Sequence, residues 1–270
     1  MLTALIKTVR PEIQIIYLIN IATGIAIAGT VNADWVRIAI GTVSLMLAYF
    51  GIYAINALAD EEIDRINKPD RPLVRGEIKR HELKVFTVLC FAAGLIGATA
   101  LDTEMLILTA ALATLGIIYS VKPVHLKSRG LLNTLTVVIG HSAAVLGGGL
   151  LAGMDGIIIY QVIAIQSMIA FLVAFSKDLP DVKGDSKKGI KTLAIQLGER
   201  NSIRLMHILP LLPLLYLALE QTRLAGILLA AVFYWSIQPL KEKKFMDAFM
   251  RGVKSTIFQN LLLIAIFALS

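Results

Sequence analysis

The sequence is short of charge, cysteine and aromatic rings. Asp, Glu, Lys and Arg make up 17% of its 270 residues, aromatic residues 7%, and there is a single cysteine, Cys90. One cysteine excludes a disulfide within the chain and a thiolate metal cluster; set in a hydrophobic run, Cys90 reads as a packing residue. The scarcity of charge excludes an ordinary soluble domain: apolar residues reach 57%, where such domains hold about half. The charges that exist are clustered. Runs such as 38–58, 85–101 and 253–270 carry few or none and approach or reach the roughly 17–25 residues that span a bilayer. With a mean hydropathy of +0.75, the chain reads as an all-α, polytopic integral membrane protein. No cleavable signal peptide, low-complexity tract or separable soluble domain is visible, so one transmembrane domain over 1–270 is expected.

Nine spans are predicted, at about 11–30, 37–58, 84–101, 104–120, 131–153, 157–176, 203–220, 222–239 and 253–270. Of the 26 Lys and Arg, all but Arg37 and Arg223 fall on the N-terminal tail and on every second connection. The positive-inside rule then puts the N-terminus and those connections in the cytoplasm. The net charge of +7 is thus a topology signal, and nucleic acid is not an expected partner. Two cytoplasmic connections, 59–84 and 177–202, are much longer than those on the other side, so the active site is expected to face the cytoplasm.

Those two connections carry most of the carboxylates. The first opens as Asn56-Ala-Leu-Ala-Asp60-Glu61-Glu62-Ile-Asp64, and a continuing helix puts Asn56, Asp60 and Asp64 on one stripe at i, i+4 and i+8. The second opens as Lys177-Asp178-Leu-Pro-Asp181-Val-Lys-Gly-Asp185, with Asp178, Asp181 and Asp185 at i, i+3 and i+7. Carboxylates stacked this way repel one another, and divalent cations relieve the repulsion. Mg2+ takes oxygen ligands, commonly one or two carboxylates together with substrate phosphates. Two such stripes suit Mg2+ and a diphosphate, with Lys68, Arg71, Lys122, Lys177 and Lys191 available to the phosphate oxygens. The plainer reading makes each cluster a solvated loop start paired with nearby Lys and Arg. Above the stripes stand Tyr49 and Tyr53 in the second span, and Phe171 and Phe175 in the sixth, as wall or packing residues. Mid-span polar residues such as His141 and Asn260 are isolated and read as interhelical hydrogen-bonding groups. An ion-coupled transporter is the alternative from another class, but its carboxylates belong near the bilayer midplane.

The first stripe with the following RINKPDRP (Arg65–Pro72), and the second segment KDLPDVKGDSKKGIKTLAIQLG (Lys177–Gly198), resemble the UbiA superfamily of intramembrane prenyltransferases. The resemblance covers essentially the whole chain. It implies nine transmembrane helices around a central cavity, and Mg2+-dependent transfer from a prenyl diphosphate to a small acceptor. By position it makes Asn56, Asp60 and Asp64 the first set of metal ligands. Asp181 and Asp185 are the second set, with Asp178 beside them. Asp60, Asp64, Asp181 and Asp185 would carry catalysis. Asn56, Lys68, Arg71, Tyr119, Lys122, Lys177, Tyr49, Tyr53 and Phe171 would line the substrate, Tyr119 and Lys122 through the sequence YSVKP. One position departs: many relatives have Asp directly after the Asn, and here it is Ala57. The form FSKDLPDVKGD favours an aromatic, quinone-precursor acceptor; the alternative is the geranylgeranylglyceryl phosphate of archaeal lipid synthesis.

Overall fold

The computed structural model describes residues 1–29, 33–153, 157–179, 182, 191–208, 223–242 and 244–267. Eleven α-helices run through them: α1 (Leu2–Val9), α2 (Pro11–Ala28), α3 (Trp35–Ala59), α4 (Glu61–Asn67), α5 (Arg80–Thr99), α6 (Thr103–Ser120), α7 (Leu131–Leu151), α8 (Ile157–Asp178), α9 (Leu193–Ile208), α10 (Arg223–Ile237) and α11 (Phe245–Phe267). The extended structure among the described residues is a single parallel pairing of β1 (Arg129–Gly130) with β2 (Lys191–Thr192). The all-α expectation therefore holds. Six helices, α2, α3, α5, α6, α7 and α8, are long and apolar enough to cross a membrane. They match the first six predicted spans. The seventh, 203–220, lies mostly outside the described residues; α10 and α11 cover most of the eighth and ninth.

Local chemistry sets the helix starts. Pro11 opens α2, where its missing N–H costs no helical hydrogen bond. Asp34 accepts from Arg37 N at 3.0 Å and caps α3; Asp102 accepts from Met105 N at 2.8 Å and caps α6. Glu82 accepts from Lys79 N at 2.8 Å at the start of α5. Arg37, one of the two basic residues expected on the far side of the membrane, is ion-paired with Asp102 and donates to Leu150 O at 3.4 Å. Burial pushes the Asp102 carboxyl up, but the Met105 N–H and Arg37 together outweigh it and hold it below its ordinary value.

The chain folds as two compact units. The first takes in Met1–Ile25, Gly29–Leu126 and Ala143–Met154. In it α3 packs along α5 and α6, which also pack on each other. Its core holds Tyr17, Ile21, Leu45, Tyr49, Met105, Leu112 and Ala144. A Cβ on Gly24 would lie 2.1 Å from Val145 O, and one on Gly148 2.0 Å from Ile21 O, so α2 and α7 touch backbone to backbone. This is the close packing that the run Gly147-Gly148-Gly149 suggests. Around this core Val43, Val85, Val88, Leu89, Ile96 and Ile107 are each more than half exposed, a belt suited to lipid. The second unit takes in Ala26–Ala28, Lys127–Ser142 and Asp155–Ser270. There α8 packs on α9 and α11, and α10 on α11, around Leu172, Phe175, Leu179, Met206, Phe233 and Ile237. Asn260, buried in α11, donates to Thr256 O of its own helix at 2.9 Å.

The short helix α1 is not among the predicted elements. Ala4 and Leu5 join Ala54, Ala57 and Leu58 of α3, with Leu73, Ile78 and Leu83, in a small apolar cluster. That cluster folds the connection after α4 back against the end of α3, and so places the residues considered next.

Candidate active site

The first acidic segment is built on the end of α3. Helical hydrogen bonding steps along the predicted stripe: Asp60 N to Asn56 O at 2.9 Å, Asp64 N to Asp60 O at 2.8 Å, and Lys68 N to Asp64 O at 2.8 Å. Asp60 (φ −88, ψ −1) is the joint between α3 and α4, and the four-residue spacing survives the bend. Asp60 and Asp64 are buried, at 3% and 5% exposure. Asn56 donates Nδ2 to Ser120 Oγ at 3.4 Å, which leaves its carbonyl oxygen as the side with ligand chemistry. Arg71 returns over the segment, Nε 3.7 Å from Asp64 Oδ2, with its side chain only 17% exposed. Burial, and then the neighbouring Arg10 guanidinium, pulls Arg71 below its ordinary value, while Asp64, Asp60 and Glu12 pull it up.

The other two carboxylates of the cluster behave differently. Glu61 pairs with Arg65 at 2.9 Å and with Arg80. The Arg65 hydrogen bond, joined by Arg80 and opposed by burial, holds the Glu61 carboxyl below its usual range. Glu62 is exposed. The plain reading of loop acids paired with loop bases fits Glu61; Asp64 differs in being buried where it meets Arg71, and Asp60 is buried beside it. Ala57, the one departure from the resembled motif, is 5% exposed in the apolar cluster with Ala4 and Leu73.

Tyrosines line the same unit. Tyr49 stacks on Tyr17 with centroids 3.9 Å apart, and Tyr53 meets Tyr17 edge-on at 6.3 Å. The Arg10 guanidinium lies 5.7 Å from the Tyr53 centroid. Arg10 takes a left-handed φ of 56, a conformation that costs a non-glycine residue about 1–3 kcal/mol. Tyr49 is 1% exposed and packs in the core, whereas Tyr53 and Tyr119 are half-buried. Lys68 and Lys122 are exposed.

Of the second acidic segment, Asp178 is described, and Asp181 and Asp185 lie outside the described residues. Asp178 ends α8, is 4% exposed, and accepts from Asn133 Nδ2 at 2.9 Å. Phe175 is fully buried, with Phe171 6.3 Å from it in a stacked arrangement, half-buried on the same helix. Lys177 lies in α8 and Lys191 in β2. Among the described residues no three His, Cys, Asp or Glu side chains converge as metal ligands. What is present is an oxygen-only donor set: two buried carboxylates a turn apart beside an amide carbonyl. That chemistry suits a hard cation such as Mg2+ and not zinc or copper.

Residues 17–250 match the model of the UbiA prenyltransferase family. The chain belongs to that family. A digeranylgeranylglyceryl phosphate synthase of Sulfurisphaera tokodaii is 30% identical over 199 residues, 72% of this chain and 70% of that protein. A 2-acylphloroglucinol 4-prenyltransferase of Humulus lupulus is 33% identical over 177 residues, 61% of this chain and 42% of that protein. Among solved structures, a UbiA homologue from Archaeoglobus fulgidus bound to DMAPP and Mg2+ has a TM-score of 0.74 at 18% identity, covering 97% of this chain and 99% of that one. The fold is therefore the UbiA fold. Asn133, Tyr17, Arg10 and Ser120, which hold or border the expected site residues, are absent from the residues the motifs single out. Arg10 immediately before Pro11, a lone Asn at the start of an apolar span, and the place of Ser120 inside YSVKP are the sequence signals for them.

Proposed function

We propose that this prenyltransferase moves a prenyl chain from a prenyl diphosphate to the free hydroxyl of geranylgeranylglyceryl phosphate, and that it requires Mg2+. The observation that carries the donor half is the pair of buried carboxylates, Asp60 and Asp64, stacked one turn apart with Arg71 against them. Such a pair in a low-dielectric setting needs cations, and a Mg2+-bound diphosphate supplies them. The acceptor half leans on the relatives named digeranylgeranylglyceryl phosphate synthase, among them a second one from Sulfolobus acidocaldarius, 35% identical over 161 residues. They favour the lipid acceptor over the aromatic one that the second motif suggests. The aromatic reading keeps the support of the Humulus enzyme.

Mg2+, when bound, neutralises diphosphate charge and so eases departure of the leaving group. The chain's own residues do the rest. In the first unit Asp60, Asp64 and the Asn56 carbonyl oxygen would hold a cation; in the second, Asp178 would be a ligand, joined by Asp181 and Asp185 on their place in the sequence. Arg71, Lys68 and Lys122 bind phosphate oxygens; Tyr119 adds a hydroxyl donor. The bond from carbon 1 to the diphosphate oxygen breaks, its electron pair leaving with diphosphate. The acceptor oxygen bonds carbon 1 and gives up its proton to the departing diphosphate. Tyr53, above the first stripe, carries the Arg10 guanidinium over its ring, and the surrounding apolar helices keep water away from the cationic carbon. The site opens on the cytoplasmic face, where the basic connections lie.

The test is an acceptor screen. Purified protein receives geranylgeranyl diphosphate and Mg2+ with geranylgeranylglyceryl phosphate, 1,4-dihydroxy-2-naphthoate, 4-hydroxybenzoate or homogentisate, and products are read by mass spectrometry. Product with the glyceryl phosphate alone is expected. Product with an aromatic acid and none with the glyceryl phosphate overturns the acceptor assignment. Turnover in verified metal-free buffer overturns the Mg2+ requirement.

A further inference from the structure

In the second unit a buried hydrogen bond ties the second acidic motif to a residue outside both motifs. Asn133, in the first turn of α7, donates Nδ2 to Asp178 Oδ2 at 2.9 Å, and both residues are 4% exposed. Just before it, Arg129 and Gly130 pair in parallel with Lys191 and Thr192. Gly130 has a φ of +53, and a Cβ there would lie 2.6 Å from Gln196 Nε2, so the strand is held tightly against the start of α9. The stretch from Arg129 to Asn133 therefore grips the chain on both sides of the second acidic segment. It holds Asp178, where the segment begins, and Lys191–Thr192, where it ends.

We propose that Asn133 is a positioning residue for the second acidic segment, fixing the rotamer of the Asp178 carboxylate so that it meets its cation preorganised. The inference rests on the reading of Asp178 as a metal ligand. An ionised carboxylate offers about four lone-pair directions on two oxygens. A hydrogen bond from an amide occupies one of them and fixes the carboxylate plane. It brings no positive charge to compete with a cation, as a Lys or Arg in the same place would. Ligating carboxylates are generally held by such partners, and losing one typically costs 10–100-fold in metal affinity or activity. Burial sharpens the effect, because water cannot replace the lost donor.

The experiment uses the full chain in detergent, with Mn2+ as the probe, titrated by electron paramagnetic resonance in the presence of inorganic diphosphate. Thermal midpoints and the Mg2+ dependence of turnover are measured alongside. Asn133→Ala is expected to weaken Mn2+ binding and raise the half-saturating Mg2+ about tenfold, with kcat at saturating Mg2+ largely kept. Asn133→Gln, which retains the amide, recovers part of the loss; Asn133→Asp, of the same shape without the donor, binds more weakly than Asn133→Ala. Asp178→Asn weakens binding by itself, and adding Asn133→Ala to it changes nothing further. Unchanged Mn2+ affinity in Asn133→Ala, whether or not the thermal midpoint falls, overturns the positioning role and leaves the metal site standing. Unchanged affinity in Asp178→Asn removes the ligand reading itself, and the proposal with it. Should Asn133→Ala not fold, Asn133→Ser, which shortens the donor, carries the same comparison.

Discussion

Asp60, Glu61, Glu62 and Asp64 crowd into two turns, and each pairing of neighbours meets different physics. Glu61 is satisfied by Arg65 and Arg80, so its loss is a matter of stability. Glu61→Gln should leave turnover unchanged and cost about 1 kcal/mol or less, because the pair reaches solvent. Its carboxyl is held below its ordinary value in the folded protein. The contribution is therefore present above the unfolded value of about 4.3, and is lost as pH falls through the depressed one. Thermal midpoints of wild type and Glu61→Gln should differ at neutral pH and converge in acid. Asp60→Asn and Asp64→Asn should do the reverse, losing at least about 100-fold in turnover while remaining folded. Full turnover in either would remove the first segment from the site. Ala57 supplies the contrast: Ala57→Asp would put a carboxylate into the apolar cluster with Ala4 and Leu73. It should destabilise the protein by about 3 kcal/mol without raising activity, a loss visible as a lower denaturation midpoint in detergent. The stripe was legible in the sequence because a four-residue spacing is local. Asn133 was not, because its partner is 45 residues away and a lone Asn at the start of an apolar span does not name that partner.

At the scale of the helix, length and hydropathy made the six long spans legible, since a bilayer imposes a minimum apolar run. α1 escaped the same reasoning. It is 8 residues long and is held by packing on α3, not by its own hydropathy. The glycine run of α7 announced close packing, yet only the structure separates its members. A Cβ on Gly148 would meet backbone, Ile21 O at 2.0 Å, whereas one on Gly147 would meet the end of a side chain, Leu45 Cδ1 at 2.6 Å. Backbone cannot step aside without moving a helix, but a leucine can change rotamer. Gly148→Ala should thus cost about 1–3 kcal/mol and lower the thermal midpoint by several degrees. Gly147→Ala should fall well short of that. Equal effects would mean that α2 and α7 do not approach as closely as the structure has them.

For the molecule as a whole, orientation is the property most exposed to test. The charge pattern puts the connections after the second, fourth, sixth and eighth spans inside, and Arg37 fits it once its ion pair with Asp102 is counted. A charge neutralised in an ion pair costs little to move across a membrane compared with the stretch from Arg65 to Lys84, where seven Lys and Arg outnumber three Asp and Glu. The single cysteine makes the measurement simple, because Cys90 is buried and Cys90→Ala leaves a blank background. On that background Glu62→Cys, beside the first acidic segment, and Glu104→Cys, at the start of α6, are both at exposed positions. An impermeant maleimide applied to intact cells should label Glu104→Cys and spare Glu62→Cys until the membrane is opened. The opposite pattern would turn the protein over, and would place Asp60, Asp64 and the diphosphate they are proposed to bind on the side where no cytoplasmic prenyl diphosphate could reach them.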